Sequence, residues 1–292
     1  MALPREYTTE SCPIARSLEI VGERWTMLVV RDAFYGVRRF SDFRAHLGIP
    51  KAVLSERLSL LVDEGVLART PATQLRERTA RLQIGIDESG AANYAYRVED
   101  AGYTAELERN TFRRATHQRT QQIAANRLLL TGLHGSAQLH TSDVAATDGP
   151  FSTSMQGTVE HFVWTDGTTA VSALTSLSGG MAGQVQAWLA EPARTQPWAC
   201  IGGEFDETLE MTLPAFVRVT DVPPDATVKD RFVEFSSRYV FDPAARVLQV
   251  TRHLRAAFGH QMCSADEFAD VKDDLVRIER DLDAEVVVKV VK

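Results

Sequence analysis

Gly48-Ile49-Pro50-Lys51-Ala52-Val53-Leu54-Ser55-Glu56-Arg57-Leu58-Ser59-Leu60-Leu61-Val62-Asp63-Glu64-Gly65 is the stretch on which the reading of the first part of this chain turns. Leu54, Leu58, Leu61 and Val62 recur at i, i+4, i+7 and i+8, the spacing that puts side chains on one face of an α-helix. Proline lacks an N–H, so Pro50 opens the helix where an amide would have no partner in any case. Gly65 ends it, because glycine enters the left-handed conformation without steric penalty. The spacing therefore predicts a helix over 50–64. Immediately upstream, Ser41 is a good N-cap, Asp42 suits the positive end of a helix, and Phe43 and Leu47 turn inward, which predicts a shorter helix over 41–47.

Working outward, Ile14, Ala15, Leu18 and Val21 fall on one face of a first helix. Trp25 to Phe34 is apolar nearly all round (Trp25, Met27, Leu28, Val29, Val30, Ala33), which predicts a buried central helix. Val66 and Leu67 begin an extended segment. A pair of helices joined by a tight turn, then a short strand and a hairpin, is the order of a winged helix-turn-helix. In that arrangement the second helix enters the major groove while the first braces the backbone. With the leucine stripe turned inward, the early outward residues of helix 50–64 are Lys51, Ala52, Ser55 and Glu56, with Arg57 on the flank. Lys51 and Arg57 have the chemistry for guanine edges or phosphates, and Ser55 bonds either partner. Arg38, Arg39 and Ser41 at a helix N-terminus are placed to hold phosphate. A helical packing core with solvated arginines is the competing reading.

After Pro71 the chain changes character and becomes mainly β. Leu82, Ile84 and Ile86 alternate, Asp87-Glu88-Ser89-Gly90 turns, and Tyr94, Tyr96 and Val98 alternate again, which predicts a hairpin. Further strands are expected at 157–164, 207–213, 231–241 and 246–254. Residues 104–130 are polar and arginine-rich and read as helix with a weak apolar face. Ser264-Ala265-Asp266-Glu267 is a capping box opening a last helix at about 264–284, with Phe268, Val271, Leu275, Ile278 and Leu282 on one stripe. VVVKVVK at the C-terminus would be an aggregation risk as an open edge strand.

Composition sets the outer bounds. The 292 residues are 44% hydrophobic and 24% charged, enough for a packed core and too varied for a fibrous repeat or wholesale disorder. No apolar run reaches the ~18–20 residues that span a bilayer, and the N-terminus lacks the pattern of a secretory signal. The three cysteines, Cys12, Cys200 and Cys263, accordingly read as reduced, separately packed cytosolic thiols. The net charge of -7 divides unevenly. Residues 1–71 hold ten Lys/Arg against nine Asp/Glu, which leaves 22 against 30 for the rest, so the acidity belongs to the second part.

Catalytic chemistry finds little support. A cysteine nucleophile needs a histidine beside it and a third group to orient that histidine. Cys200 stands ahead of a Gly-Gly turn, and His253 and His260, near Cys263 in sequence, fall on an alternating strand and a loop. The remaining histidines show no metal-ligand spacing, and no phosphate-loop lysine follows Gly179-Gly180 or Gly202-Gly203. The expectation is a chain with no catalytic residues, no metal and no cofactor, so not an enzyme.

Cys12-Pro13-Ile14, Gly22-Glu23-Arg24-Trp25-Thr26, Arg31-Asp32, Arg39-Phe40-Ser41-Asp42-Phe43, Gly48-Ile49-Pro50, Leu54-Ser55-Glu56-Arg57-Leu58 and Glu64-Gly65-Val66-Leu67 closely resemble, in order and without gaps over residues 8–70, the HxlR family of MarR-related winged-helix transcription regulators. The resemblance implies a homodimer that reads two half-sites of promoter DNA. This sequence departs from the family at Ile49, where a Ser or Thr often precedes the helix-opening proline. In some members the cysteine before Pro-Ile senses oxidants or electrophiles, and Cys12 matches that position. The competing reading, which we prefer, is a small buried residue near a dimer interface. Tyr94-Ala95-Tyr96-Arg97-Val98-Glu99-Asp100-Ala101-Gly102 looks like the strand that leaves the family's wing, which would then extend to about residue 100.

Residues 72–292 loosely resemble the β-rich, sandwich-like region that follows the catalytic core in bacterial transglutaminase-like proteins. The stretches that carry this are LQIGIDESGAANYAY, LLLTGLHGSAQLHTSD, PWACIGGEF, LEMTLPAFVRVTDVPPD, FSSRYVFDPAARVLQVTRHL and CSADEFADVKDDLVRIERDL. The catalytic core that would precede such a region is replaced here by the winged helix. Similar modules occur in exported proteins, and the resemblance there implies a Cys200–Cys263 pair as the alternative to the separate reduced thiols preferred for a cytosolic chain. The expectation is an α+β chain: a DNA-binding winged helix-turn-helix over 1–71, then a β-rich accessory domain over 72–292 ending in a helix. It is read as a cytoplasmic, homodimeric transcriptional regulator of promoter DNA with no membrane contact. For the β-rich domain three roles stay open: binding a small-molecule effector, contacting a partner, or enlarging the dimer. The alternative from another class is a non-catalytic interaction or ligand-binding protein, whose β-rich module does the work while the winged helix makes protein contacts.

Overall fold

The computed structural model describes residues 22–23, 25–34, 37–67, 76–146, 149–177, 179–191, 193–260 and 262–291. Cys12 and the helix expected around Ile14–Val21 lie outside the described residues. The chain forms two compact units. One comprises the described residues up to Leu67 together with Arg194–Ile201 and Phe258–Ala265, and the other holds the remainder.

The first unit contains helices α1 (Thr26–Phe34), α2 (Phe40–Leu47) and α3 (Lys51–Asp63). Val29, Val37, Phe43, Ile49, Leu54 and Leu61 form its buried core, with Trp25, Leu47, Leu58 and Leu67 partly buried against it. The leucine stripe of α3 thus faces inward, as its spacing requires. The helix closes in a Schellman motif: the N–H of Gly65 (φ +70°) donates to Val62 O and that of Val66 to Leu61 O. The expected burial of α1 all round is corrected. Val29 is buried, but Met27 is 55% and Phe34 86% exposed, so an apolar composition here supplies one core face and one face that the described residues leave uncovered.

Two short segments from far along the sequence complete this unit. Strand β6 (Trp198–Ala199) pairs antiparallel with β12 (Met262–Cys263). Trp198 meets Phe258 edge-to-face with centroids 5.5 Å apart, the Arg194 guanidinium lies 5.1 Å from the Trp198 ring centre, and Met262 packs on the helical core. Cys200 and Cys263 are joined by a disulfide. This corrects the expectation of separate thiols: the β6–β12 pairing brings the two Cα atoms to 5.6 Å, within bridging range.

The second unit is built on an eight-stranded sheet in the order β3-β4-β2-β1-β7-β11-β10-β9. Its strands are β1 (Glu77–Ile86), β2 (Ala92–Ala101), β3 (Gln138–Thr141), β4 (Phe151–Val159), β7 (Gly203–Thr212), β9 (Ala226–Lys229), β10 (Val233–Asp242) and β11 (Val247–Ala256). All neighbours are antiparallel except β1 and β7. The expected hairpin is β1–β2, and it occupies the middle of this sheet. Alternate residues of β1 and β2 are buried, as a sheet covered on one face demands. The core formed by that face also takes in residues of a three-stranded sheet, β5 (Thr168–Ser172), β13 (Glu285–Val290) and β8 (Val217–Asp221), and of helices α4 (Tyr103–Arg113) and α5 (His117–Leu130). The C-terminal valine strand, an aggregation risk had it been an open edge, is the central strand of the small sheet, with Val286 and Val288 buried. The unit is completed by α6 (Gly180–Leu189) and the amphipathic α7 (Ala265–Leu282).

Three buried charged groups in this unit are paired. Arg78 and Asp100 face each other across β1–β2, with Arg78 Nε donating to Asp100 Oδ1 at 2.8 Å. Arg252 donates to Ala173 O, Tyr239 OH and Asp281 O. Glu207 accepts from Thr175 Oγ1 at 2.5 Å and from the Met181 N–H at 2.7 Å. Unpaired, each of these groups would cost about 1–3 kcal/mol.

Candidate nucleic-acid interface

Helices α2 and α3 are joined by Gly48, Ile49 and Pro50. Gly48 takes a left-handed conformation (φ +61°) and its N–H donates to Arg44 O, which ends α2. Pro50 is the N-cap of α3, and the Leu54 N–H donates to Pro50 O at 3.0 Å. Ile49, the residue that departs from the family pattern, is 2% exposed and shares the core with Leu54. An apolar residue before the cap and one in the following turn make a hydrophobic staple, which fixes how the chain enters the helix without a polar cap.

The cap of α2 differs from expectation. Arg39, extended at φ −95° and ψ 140°, is the N-cap, and the N–H groups of Asp42 and Phe43 donate to its carbonyl. Ser41 lies inside the first turn, where its hydroxyl donates to Asp42 Oδ1 at 3.1 Å. Arg39 takes the N-cap position, and Ser41 stands two positions later, inside the helix, so its side chain is not placed to cap it. Neither α2 nor α3 has a side-chain cap, so their first-turn amides keep hydrogen-bonding capacity toward an anion.

On α3, Lys51, Ala52, Ser55 and Glu56 are exposed and Arg57 is half-buried beside them. Arg57 Nη2 donates to Glu56 Oε1 at 3.0 Å, so its charge is partly answered within the helix. Arg38 donates through Nη1 to Ala33 O and to Val37 O, across the connection between α1 and α2. Arg39 is exposed and donates to Gly259 O at 3.0 Å. The residues proposed from sequence therefore gather on α3 and the start of α2, with Arg38 engaged by main-chain carbonyls.

Sequence reading passed over two features. Arg44, on the outer side of α2, is exposed, and among the described residues neither it nor Lys51 has a charged or hydrogen-bonded side-chain partner. With Phe43 and Leu47 assigned inward, the helical period already put Arg44 outward. The second is Asp32, fully buried in α1. Its Oδ1 accepts from Arg31 Nε and Nη2 at 2.9 and 2.8 Å, and its Oδ2 lies 2.6 Å from His46 Nδ1 on α2. This carboxylate ties α1 to α2 and so sets the helix that braces α3.

Residues 20–81 match the family model described as HxlR-like helix-turn-helix. An uncharacterised helix-turn-helix-type transcriptional regulator of Mycobacterium tuberculosis is 51% identical over 65 residues, which is 22% of this chain and 41% of that relative. YvaP of Bacillus subtilis, likewise named an uncharacterised helix-turn-helix-type transcriptional regulator, is 34% identical over 86 residues, and the match spans 77% of its length. The chain belongs to the HxlR-like helix-turn-helix family of transcriptional regulators. It spans less than half the length of its mycobacterial relative. A solved structure, PA1607, described as a candidate transcription factor, is 48% identical over 22% of this chain and 46% of its own, with a TM-score of 0.22. The family match ends at residue 81, within β1.

The described residues of the second unit also form a groove. On the open face of the eight-stranded sheet, His140, Ser154, Arg97, Arg81, Thr208 and Thr251 stand in register on six successive strands. They contribute to the lining of a groove of about 560 Å³. Among the described residues no helix is long and apolar enough to cross a membrane.

Proposed function

We propose that this HxlR-like protein is a homodimeric, cytoplasmic transcriptional regulator that reads promoter DNA with α3 and acts by binding, not by catalysis. The observation that carries the reading is the division of α3. Leu54 and Leu61 are buried, while Lys51, Ala52 and Ser55 stand exposed on its first turns. Side chains on the first turns of a recognition helix are those that meet base edges. Lys51 suits guanine O6 and N7 or a phosphate, Ala52 a thymine methyl, and Ser55 either kind of partner. Arg39, Arg44 and the uncapped amides of α2 take phosphates, with Ser41 beside them. Glu56 limits Arg57, which is assigned to the flank of the site. Arg38 holds the α1–α2 connection in place.

Dimerisation is supported by the exposed apolar residues of α1, Met27 and Phe34, which a partner would cover. A small-molecule effector is assigned to the open-face groove, where Arg81 and Arg97 stand directly opposite each other. Like charges so placed repel unless an anion lies between them.

The test is a gel shift with the full chain and the DNA upstream of its own gene. A specific complex that Lys51→Ala weakens supports the reading. No complex at low salt overturns it and favours a protein-interaction role for the winged helix.

A further inference from the structure

Cys200 and Cys263 are both fully buried in the first unit, and His260 stands three residues before Cys263. The two sulfurs and a ring nitrogen of His260 all lie within 4.8 Å of one another. The segments that carry them are fixed by the β6–β12 pairing, by the Trp198–Phe258 contact and by Met262 on the helical core. The carbonyl oxygen of His260 is 3.5 Å from Cys200 Sγ. A disulfide sulfur has no hydrogen to donate, so this is only a contact in the oxidised form, and it becomes a hydrogen bond once Cys200 is a thiol.

Promoter DNA lies in a reducing compartment, where thiol pools keep most cysteine pairs open. We propose that in its reduced form this HxlR-like protein binds one soft divalent cation of the zinc class through Cys200, Cys263 and His260. Reduction of the disulfide by a cellular dithiol adds two electrons and two protons. The S–S bond breaks, two thiols form, and the dithiol closes into its own disulfide. Cation binding then displaces the two thiol protons, leaving two thiolates and a neutral imidazole as ligands.

The chemistry selects the ion. Thiolate and imidazole ligands favour zinc over magnesium or calcium. Bond lengths of about 2.3 Å to sulfur and about 2.0–2.1 Å to nitrogen fit three ligand atoms gathered this closely. Three protein ligands leave the fourth tetrahedral position to water. The site also touches the proposed DNA interface: Gly259, next to the histidine ligand, accepts the hydrogen bond from Arg39. The site itself stands on its own geometry, whatever the DNA-binding outcome.

Titration of the full chain with Co²⁺ after anaerobic reduction and removal of the reductant tests this. The expected result is one Co²⁺ per chain, with thiolate-to-cobalt charge-transfer absorption and tetrahedral ligand-field bands that an equivalent of Zn²⁺ abolishes. Protein kept oxidised gives neither band, a comparison that needs no variant. His260→Ala, which leaves the disulfide able to form, weakens Co²⁺ binding by about 100-fold or more, since loss of a mere supporting group costs about 10–100-fold. Cys12→Ser leaves the titration unchanged. Absence of the charge-transfer band in reduced protein, equal binding by oxidised protein, unchanged affinity in His260→Ala, or loss of the site in Cys12→Ser would each overturn the proposal. The readout is independent of DNA, so its failure is separate from failure of the regulator reading.

Discussion

Replacing Asp32 by alanine should open the helix-turn-helix unit without touching its outer face. The carboxylate is fully buried and accepts from Arg31 twice and meets His46 once, the last contact spanning α1 to α2. Hydrogen bonds to charged groups contribute about 1.5–3 kcal/mol each. The Arg31 side chain is 45% exposed and regains water on losing its partner, so its two bonds together add no more than about 1 kcal/mol. The His46 side chain is 22% exposed and is left facing the space of the missing carboxylate. The sum expected is about 2–3 kcal/mol, and at 1.36 kcal/mol per tenfold this is about a 30- to 160-fold change in opening equilibrium. Hydrogen exchange on the full chain reads that opening directly, as lost protection at the amides of α1, α2 and α3. Asp32→Ala combined with His46→Ala should fall short of additivity by about 1 kcal/mol, because both changes remove the same contact. A loss of protection under threefold in Asp32→Ala, or full additivity in the double variant, would refute the claim that this buried carboxylate holds the helices together.

Further outcomes follow from the same structure. Lys51→Ala should weaken promoter binding by about 1–3 kcal/mol if it reads a base, whereas Arg44→Ala should weaken all DNA sequences alike and make the salt slope shallower by about 1; equilibrium binding to specific and scrambled duplexes separates the two. Burial holds the Tyr94 and Tyr239 phenols up to about 12, above their ordinary ~10. The folded chain therefore keeps protons that the unfolded chain releases. Stability is full below pH 10 and falls as pH rises from there toward 12; denaturant midpoints across that window check the sign, and Tyr94→Phe should flatten the decline. Glu207→Ala strands the Thr175 hydroxyl and the Met181 N–H, both buried, and should cost about 2–4 kcal/mol, while Glu207→Gln keeps an acceptor and costs less. Urea unfolding monitored by circular dichroism measures both.

What the sequence revealed was faces and ends. The stripe on α3, the left-handed Gly65 and the alternation of Leu82, Ile84 and Ile86 all express local geometry, and each is found where its spacing put it. Partners were harder to read. An alternating strand announces one buried face but not its neighbour, so the parallel pairing of β1 with β7, and hence the place of the β1–β2 hairpin within the large sheet, has no local signature. The same holds for the terminal valine strand, which looks like an exposed edge until β5 and β8 flank it. Apolar composition misled at α1, where Met27 and Phe34 are exposed, because composition does not say how many faces are covered. At the proposed interface, the outward set on α3 was legible from period alone. The Asp32–His46 contact and the Cys200–Cys263–His260 group were not, since each depends on chain segments that meet only in the folded molecule.

The salt dependence of binding to the DNA upstream of its own gene bears most directly on the central claim. If Arg39, Arg44 and Lys51 of both protomers each neutralise one phosphate, the slope of log affinity against log salt should be about −5, from about −0.9 per phosphate. Specific binding with that slope, made shallower by Arg39→Ala or Arg44→Ala, is the predicted result. A slope near zero, or no binding at low salt, would contradict the assignment of α2 and α3 as a DNA-reading pair.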